Sequence, residues 1–581
     1  MSSAAAPSFT GAGAGSGGGV GKCDLCGAPA AARCGRCRGV LYCGPKCQRA
    51  AWPTHKSDCA AAVAAAAAVA TKAGAATAAG GGGGGTASEV DETAAWVTRV
   101  SACSGLGEAG ARVAREACAF ITAASRPRRA ALALGGLPAP LVRLLDAADA
   151  EATAIDAATA LTRLAETNVG GGRPSRACRD AGALPALLRA IGRWPRAPAA
   201  AALTMVTLLL GDPVAQDMAI DAGGVGVLVA ALRCADTGEA MSVALALGML
   251  LEGNAGVRAR GTAVAAGAIP AVCRLIAAPT PHSVAPEAPP SISVVGATDV
   301  LALLASTVPG AADAAVRGGA VASTLALLAR RDVARMAHSG AANALSGVVN
   351  SSSEGRVAAA AAGAFGILAR ALAVPDDDED GTSVALSAAR AVKGIAGGPD
   401  WELDMDAARV TVAPLVRLLS SRSDAVRAAA AKALNDICYS APGDGNRAAA
   451  VGAGVIEATV PLLSGTLANE LGAAARLMAN MLLFPAYRAR AAAAGAVAPL
   501  VALLRCPAAD VSRLAVSSLA SLAEAGAGAA GEVRGALLAR GGAGAAVVRE
   551  CARGARGADA AAAEAERLRT KAGKLVALCT L

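Results

Sequence analysis

Aromatic residues are almost missing from this chain: four Phe, three Tyr and four Trp among 581 residues. An aromatic-lined small-molecule pocket is hard to assemble from so few rings. Histidine is scarcer still, with His55, His282 and His338 alone, which thins out histidine-based acid–base catalysis. No phosphate-binding loop, dinucleotide fingerprint, nucleophile elbow or kinase signature occurs. Long apolar runs are lacking too. Mean hydropathy is +0.47, yet the longest strongly apolar stretch, Ala60–Ala70, has 11 residues where a bilayer helix needs about 20. No membrane span is expected. No Lys or Arg precedes Lys22, which speaks against a secretory signal and against an Arg-rich transit peptide. Charge is only mildly biased, +9 from 54 basic and 45 acidic residues, too little to demand a nucleic-acid partner.

What the chain has instead is Ala, Gly and a repeat. Residues 1–21 are Ser/Ala/Gly-rich and read as disordered. Residues 22–60 hold a cysteine cluster, and residues 61–92 are an Ala/Gly-rich linker containing the six-glycine run Gly80–Gly85. From residue 93 to 581 a glycine-led apolar helix start keeps returning, as in Gly182-Ala-Leu-Pro-Ala-Leu-Leu and Gly267-Ala-Ile-Pro-Ala-Val-Cys-Arg-Leu-Ile. The other starts are at Gly136, Gly223, Gly319, Gly363, Thr411, Gly454, Gly495 and, weakly, Gly542, giving intervals of 46, 41, 44, 52, 44, 48, 43, 41 and 47. The long interval carries a Pro-rich insert between Pro279 and Pro290, and the 48-residue interval an acidic loop, Asp376–Asp380. Such a period predicts a helical solenoid. Each repeat is expected to hold a second, longer helix. In Ser423–Cys438 the residues Val426, Ala430, Ala433, Leu434 and Ile437 fall on one face. The leading glycine suits a turn needing positive φ, and no repeat can bury its apolar face without its neighbours.

The Gly-Ala-Ile-Pro-x-Leu-Val-x-Leu-Leu start with its following Ala-rich helix resembles the armadillo repeat. That resemblance implies an all-α fold, a right-handed armadillo-type α-solenoid of about ten repeats over residues 93–581, with a concave groove lined by the longer helices and open to extended partner chains. In peptide-carrying members an Asn on that helix clamps the partner's backbone, and Asn435 and Asn480 fit the position. Elsewhere it reads Thr162, Thr207, Gly248, Ser346 and Ala520, and Trp194 and Trp401 fall in loops, so the nuclear-import-receptor version does not fit. Ordinary interhelix hydrogen bonding is the other reading of the two Asn residues.

Seven of the 16 cysteines lie between residues 23 and 59. The remaining nine are scattered in Ala-like positions and read as small buried hydrophobes. This distribution points to metal ligands in a reducing, intracellular compartment, cytoplasmic or nuclear, rather than to disulfides. The spacing Cys23-x2-Cys26-x7-Cys34-x2-Cys37-x5-Cys43-x3-Cys47-x7-His55-x3-Cys59 supplies eight ligands, enough for two closed, structural Zn²⁺ sites of four ligands each. So short a segment depends on zinc for its folding free energy.

With Tyr42-Cys43, Cys47-Gln48, Trp52 and His55-Lys56 in place, the pattern is similar to the MYND zinc finger. A RING finger would carry a mid-sequence His and a final CxxC, and this chain has neither. The resemblance implies interleaved sites, Cys23, Cys26, Cys43 and Cys47 on one Zn²⁺ and Cys34, Cys37, His55 and Cys59 on the other. It also implies a protein-interaction module gripping proline-containing peptides of the PxLxP type, with Gln48 and Trp52 helping to form the groove. Trp52 simply covering the zinc sites is the alternative. Nucleic-acid binding by the finger is not expected: its formal +5 falls to about +2 once seven thiolates and two zinc ions are counted, and stacking partners are scarce. The SET-domain methyltransferases that carry MYND fingers have an Asn-His-x-Cys core that is absent here. The chain thus reads as a non-enzymatic, zinc-binding adaptor whose finger and superhelix each bind partner proteins or peptides. The competing function is ubiquitin ligation or substrate recruitment of the U-box/armadillo type.

Overall fold

The computed structural model describes four two-residue strands between residues 21 and 42, and residues 87–580 apart from connections at 103–106, 167–171, 195, 235–236, 279–291, 332, 399–404, 441–444 and 555–561. The chain divides into two units, Met1–Val90 and Asp91–Leu581. In the first, β1 (Gly21–Lys22) pairs antiparallel with β2 (Pro29–Ala30), and β3 (Ala32–Arg33) with β4 (Leu41–Tyr42).

From Ala87 onward every described element is helical, including residues 87–92, which the sequence places in a linker. The helices come in units of three where the sequence suggests two. In one unit, Ser353–Ala361, Ala364–Leu372 and the long Glu379–Ala396 follow one another; in the unit before it, Ala311–Arg317, Ala320–Ala329 and Arg335–Ser351 do so. The unforeseen member is the short first helix. At 7 residues in Ala311–Arg317 and 9 in Ser353–Ala361 it makes about two turns, too few for a 3.6-residue period to stand out among alanines.

Between first and second helices sits the repeating glycine. Gly267 has φ +89° and Gly319 φ +79°, the left-handed conformation in which a Cβ is unfavourable. The N–H of Gly267 donates to the Val264 carbonyl at 3.0 Å, so the residue closes one helix while opening the next. The chain bends sharply there, by 70° between Ala311–Arg317 and Ala320–Ala329 and by 83° between Ser353–Ala361 and Ala364–Leu372.

Two expected starts depart from this pattern. Before Thr411 a 3₁₀ turn, Met405–Ala408, runs straight into the helix Arg409–Leu418, leaving Pro414 inside it; no glycine is present to reverse the chain. At Gly542 the helix Ala527–Gly554 continues unbroken. The acidic segment is likewise no free loop. Asp378 caps Glu379–Ala396, its carboxylate accepting from the Gly381 N–H at 2.6 Å and pairing with Arg335 at 2.7 Å, while Glu379 and Asp380 occupy the first turn. Acidic groups are favoured at that end by the helix dipole.

The units stack in sequence order. Each long helix packs on the next, from Gly107–Ala123 through Glu151–Ala165, Pro198–Leu209, Thr237–Leu251, Ile292–Thr307, Arg335–Ser351, Glu379–Ala396, Asp424–Ser440, Ala468–Leu482 and Ala509–Ala523 to Ala562–Thr580. The second helices form a parallel ladder of their own. The core runs between the two: Val426, Ala430, Ala433, Leu434 and Ile437 are all 0% exposed. Ion pairs one repeat apart tie neighbouring units, as in Arg189–Asp146 at 2.7 Å and Arg258–Asp217 at 2.6 Å. Among the described residues no single helix is long and apolar enough to cross a membrane.

Two glycines in one unit separate turn geometry from helix propensity. Gly261 lies exposed inside Gly253–Ala265, and an added Cβ there meets nothing. Gly261→Ala should stabilise the chain by about 0.5–1 kcal/mol, whereas Gly267→Ala should destabilise it by about 1–2 kcal/mol. Urea unfolding of the two variants checks the opposite signs.

Candidate metal centre and interaction face

All eight predicted zinc ligands (Cys23, Cys26, Cys34, Cys37, Cys43, Cys47, His55 and Cys59), together with Gln48 and Trp52, lie outside the described residues. Four of the ligands lie between described strands in the sequence. Cys23 and Cys26 fall in the sequence between the paired strands β1 and β2, and Cys34 and Cys37 between β3 and β4. β1 also lies within 8 Å of β4. The donor set, seven thiols and one imidazole, fits zinc.

Several of the positions singled out on the long helices meet across the ladder. The Nδ2 of Asn480 donates to Oδ1 of Asn435 at 2.6 Å, and Nδ2 of Asn435 donates to Asp436 at 2.9 Å. Asn435 is buried and Asn480 half-buried. The hydroxyl of Thr162 lies 2.6 Å from that of Thr204 on the next long helix, while Thr207 donates only to Leu203 within its own helix. Ser346 is buried, and its carbonyl accepts from Asn350 at 2.8 Å. Trp194 follows the end of its helix in a loop, with Arg193 stacked 4.8 Å over its ring. His338 sits in Arg335–Ser351, one ring nitrogen 2.8 Å from the Arg330 carbonyl. Trp401 and His282 lie outside the described residues.

Charged residues that spacing arguments did not single out shape this face. A cleft of about 360 Å³ opens between the long helices, lined by Glu252, Asp299, Asn343, Ser346, Asn350 and Arg390. Burial, and then the Glu252 carboxylate, push the Asp299 carboxyl up to about 6. Farther along stand Lys393, Lys432 and Arg476. Lys393 donates to Asn350 at 3.2 Å and Lys432 to Asn469 at 2.5 Å. Burial, followed by the like charges of Lys393, Arg390 and Arg476, holds the Lys432 amine below its ordinary range. Burial raises Asp436, against the Asn435 hydrogen bond and the surrounding cations. The signal for these residues was present as charges at helical spacing on the longer helix. Hydrophobic periodicity, which finds the buried side, passes over them.

The scattered cysteines are free thiols among the described residues, with Cys178, Cys273 and Cys438 buried. Burial pushes Cys178 and Cys438 up to about 12 and Cys273 to about 11, which leaves them packing groups rather than nucleophiles. No cluster of three metal-ligating side chains exists among the described residues.

The Asp299 carboxyl links stability to pH. Its folded pKa is raised, so its contribution favours folding at acid pH and is lost as pH rises from 3.8 towards about 6. Asp299→Asn should therefore be more stable than the parent chain by about 1–3 kcal/mol at neutral pH. The difference should vanish below about pH 4, as read by urea unfolding at the two pH values.

Comparison with the curated proteins returns no match. Among solved structures, the chain is similar to an engineered protein, Northeast Structural Genomics Consortium target OR497, with 26% identity over 76% of this chain and 99% of that one and a TM-score of 0.60. A second engineered protein, target OR329, shares 26% identity over 45% of this chain and 96% of its own, with a TM-score of 0.37. The first likeness fits the repeating helical body. The short cysteine-rich segment has a more specific relative: residues 23–59 match the MYND finger family and are a MYND zinc finger, a zinc-binding protein-interaction domain.

Proposed function

We propose that this chain is a protein-interaction adaptor in which a zinc-held MYND finger and an armadillo-type solenoid each bind partner proteins. The match of residues 23–59 to the MYND family carries the reading, because that finger is an interaction module. The helical body supports it with a continuous long-helix face carrying polar and charged side chains above an apolar core. The three-helix unit, with a short first helix turned by a positive-φ glycine into a second and then a long third, is the reason for preferring the armadillo type. About ten such units fit between residues 126 and 580 when Met405–Ala408 takes the place of one short first helix. Two linked modules raise each other's effective concentration on a shared partner. The activity is binding rather than catalysis, and it takes place in a reducing compartment, cytosol or nucleus, where thiols persist.

The finger holds two structural Zn²⁺ ions, one on Cys23, Cys26, Cys43 and Cys47 and one on Cys34, Cys37, His55 and Cys59. Native mass spectrometry of the full chain should show two zinc ions, falling to one in Cys26→Ser and in Cys37→Ser. One ion in the parent chain, or none lost in either variant, would contradict the assignment.

Gln48 and Trp52 line a groove for proline-containing, PxLxP-like peptides. A tiled peptide array probed with the full zinc-loaded chain should return such peptides, and Trp52→Ala should lose them while keeping two zinc ions. Recovery of no peptide by either module, with and without zinc, overturns the adaptor reading.

A further inference from the structure

The long-helix face changes sign along its length, and the cationic part is concentrated. Arg390 and Lys393 project from Glu379–Ala396, Lys432 from Asp424–Ser440 and Arg476 from Ala468–Leu482, three helices that pack in succession. Arg390, Lys432 and Arg476 are exposed and Lys393 is half-buried. None of the four makes an ion pair among the described residues. Lys393 and Lys432 are held by the neutral amides of Asn350 and Asn469 instead. Asp436 is the carboxylate that acts on Lys432, and Lys393, Arg476 and Lys432 act on it in turn. Elsewhere on this molecule Arg side chains reach a carboxylate one repeat away, as Arg189 and Arg335 do. Here the cations are gathered, and after burial their like charges add to what holds Lys432 down. A like-charged cluster costs free energy unless a counter-charge arrives from outside.

We propose that Arg390, Lys393, Lys432 and Arg476 form the docking face for an extended acidic segment of a partner protein. This rests on the adaptor reading above and specifies the partner's chemistry. Helices packed in this way stand about 8–10 Å apart, and an extended chain advances about 3.3 Å per residue. One rung therefore corresponds to roughly three residues, so carboxylates spaced three apart would each meet a cation. Asn480 lies on the Arg476 rung, one turn further along Ala468–Leu482. It commits its amide nitrogen to Asn435, and its own Oδ1 is turned to no donor among the described residues, so it can accept from a partner's backbone N–H.

A polyphosphate chain fits less well. Arg390 lines the same cleft as Glu252 and Asp299, so a nucleic acid continuing along the ladder would run onto carboxylates. Tyr439 is the one aromatic residue on the three cationic helices, which leaves little to stack bases on. An acidic peptide ends its charge where the cations end.

The test uses the full zinc-loaded chain and three labelled probes read by fluorescence anisotropy: a Gly/Ser peptide with Glu at every third position, the same peptide with Gln for Glu, and oligouridylate of equal formal charge. The Glu peptide should bind at least about tenfold more tightly than the Gln peptide and weaken with salt. Lys432→Glu and Arg476→Glu should each weaken it by about tenfold. Arg370→Glu, an exposed change on the second-helix ladder, should leave it unaltered; circular dichroism confirms the fold of each variant. Equal affinity for Glu and Gln peptides, tighter binding of oligouridylate, or equal loss in Arg370→Glu overturns the proposal. If the peptide array returns ligands of the helical body that are not acidic and ignore Lys432→Glu, this inference fails while the adaptor reading stands. If neither the helical body nor the finger binds any peptide, both fail together.

Discussion

The distance between successive long helices is the constraint on which the rest of this molecule depends. It is set by small residues where backbones cross. A Cβ added to Gly347 would lie 2.9 Å from the Ala302 carbonyl oxygen, and one added to Gly296 would lie 2.7 Å from the Leu245 nitrogen. Neither neighbour is a side chain free to swing aside. The alanine between them serves the same end. Ala341, Ala344, Ala385 and Ala388 are all 0% exposed, each a flat contact that costs no side-chain entropy on burial. A chain with so few aromatic residues builds its core by bringing helices close rather than by filling wide gaps. Large substitutions at the crossings should thus be felt along the stack, since interiors at native density do not absorb added volume.

Close helices also bring their polar edges into register. Because neighbouring long helices are one repeat apart, residues about 43–45 apart in sequence become hydrogen-bond partners: Asn435 with Asn480, and Lys393 with Asn350. The same stacking gathers Arg390, Lys393, Lys432 and Arg476 into one field and sets Glu252 beside Asp299 in the cleft. The groove's charge pattern follows from repetition acting on a few charged positions, without any loop built to hold them.

Much of the body was legible in the sequence because its physics is periodic. The glycine starts mark turns that need positive φ, and Gly267 and Gly319 occupy that conformation. The predicted buried face of the helix around Val426, Ala433 and Ile437 is buried throughout. The short first helices escaped notice because two turns of alanine carry no contrast between faces. Thr411 was grouped with the glycines by its Val-Ala-Pro-Leu-Val-Arg-Leu-Leu sequence, but a residue with a branched Cβ does not supply the reversal, and a 3₁₀ turn replaces it. Composition marks the acidic segment as a loop, whereas Asp378 and its neighbours belong to a helix start. At the interaction face, Asn435 and Asn480 stood out in the sequence. The cations around them did not, because which charges share a surface depends on the rotation between units, and no single repeat contains that information. The MYND finger at residues 23–59 was the clearest signal of all, since residue type and spacing are local properties of the chain.

The central claim is that the long-helix ladder is the face that meets partners. Hydrogen–deuterium exchange of the full zinc-loaded chain, with and without a protein captured through its helical body, tests this most directly. The account predicts added protection in Arg335–Ser351, Glu379–Ala396, Asp424–Ser440 and Ala468–Leu482, with the short first helices unchanged. Protection confined to the short helices, or to the second-helix ladder, would contradict it.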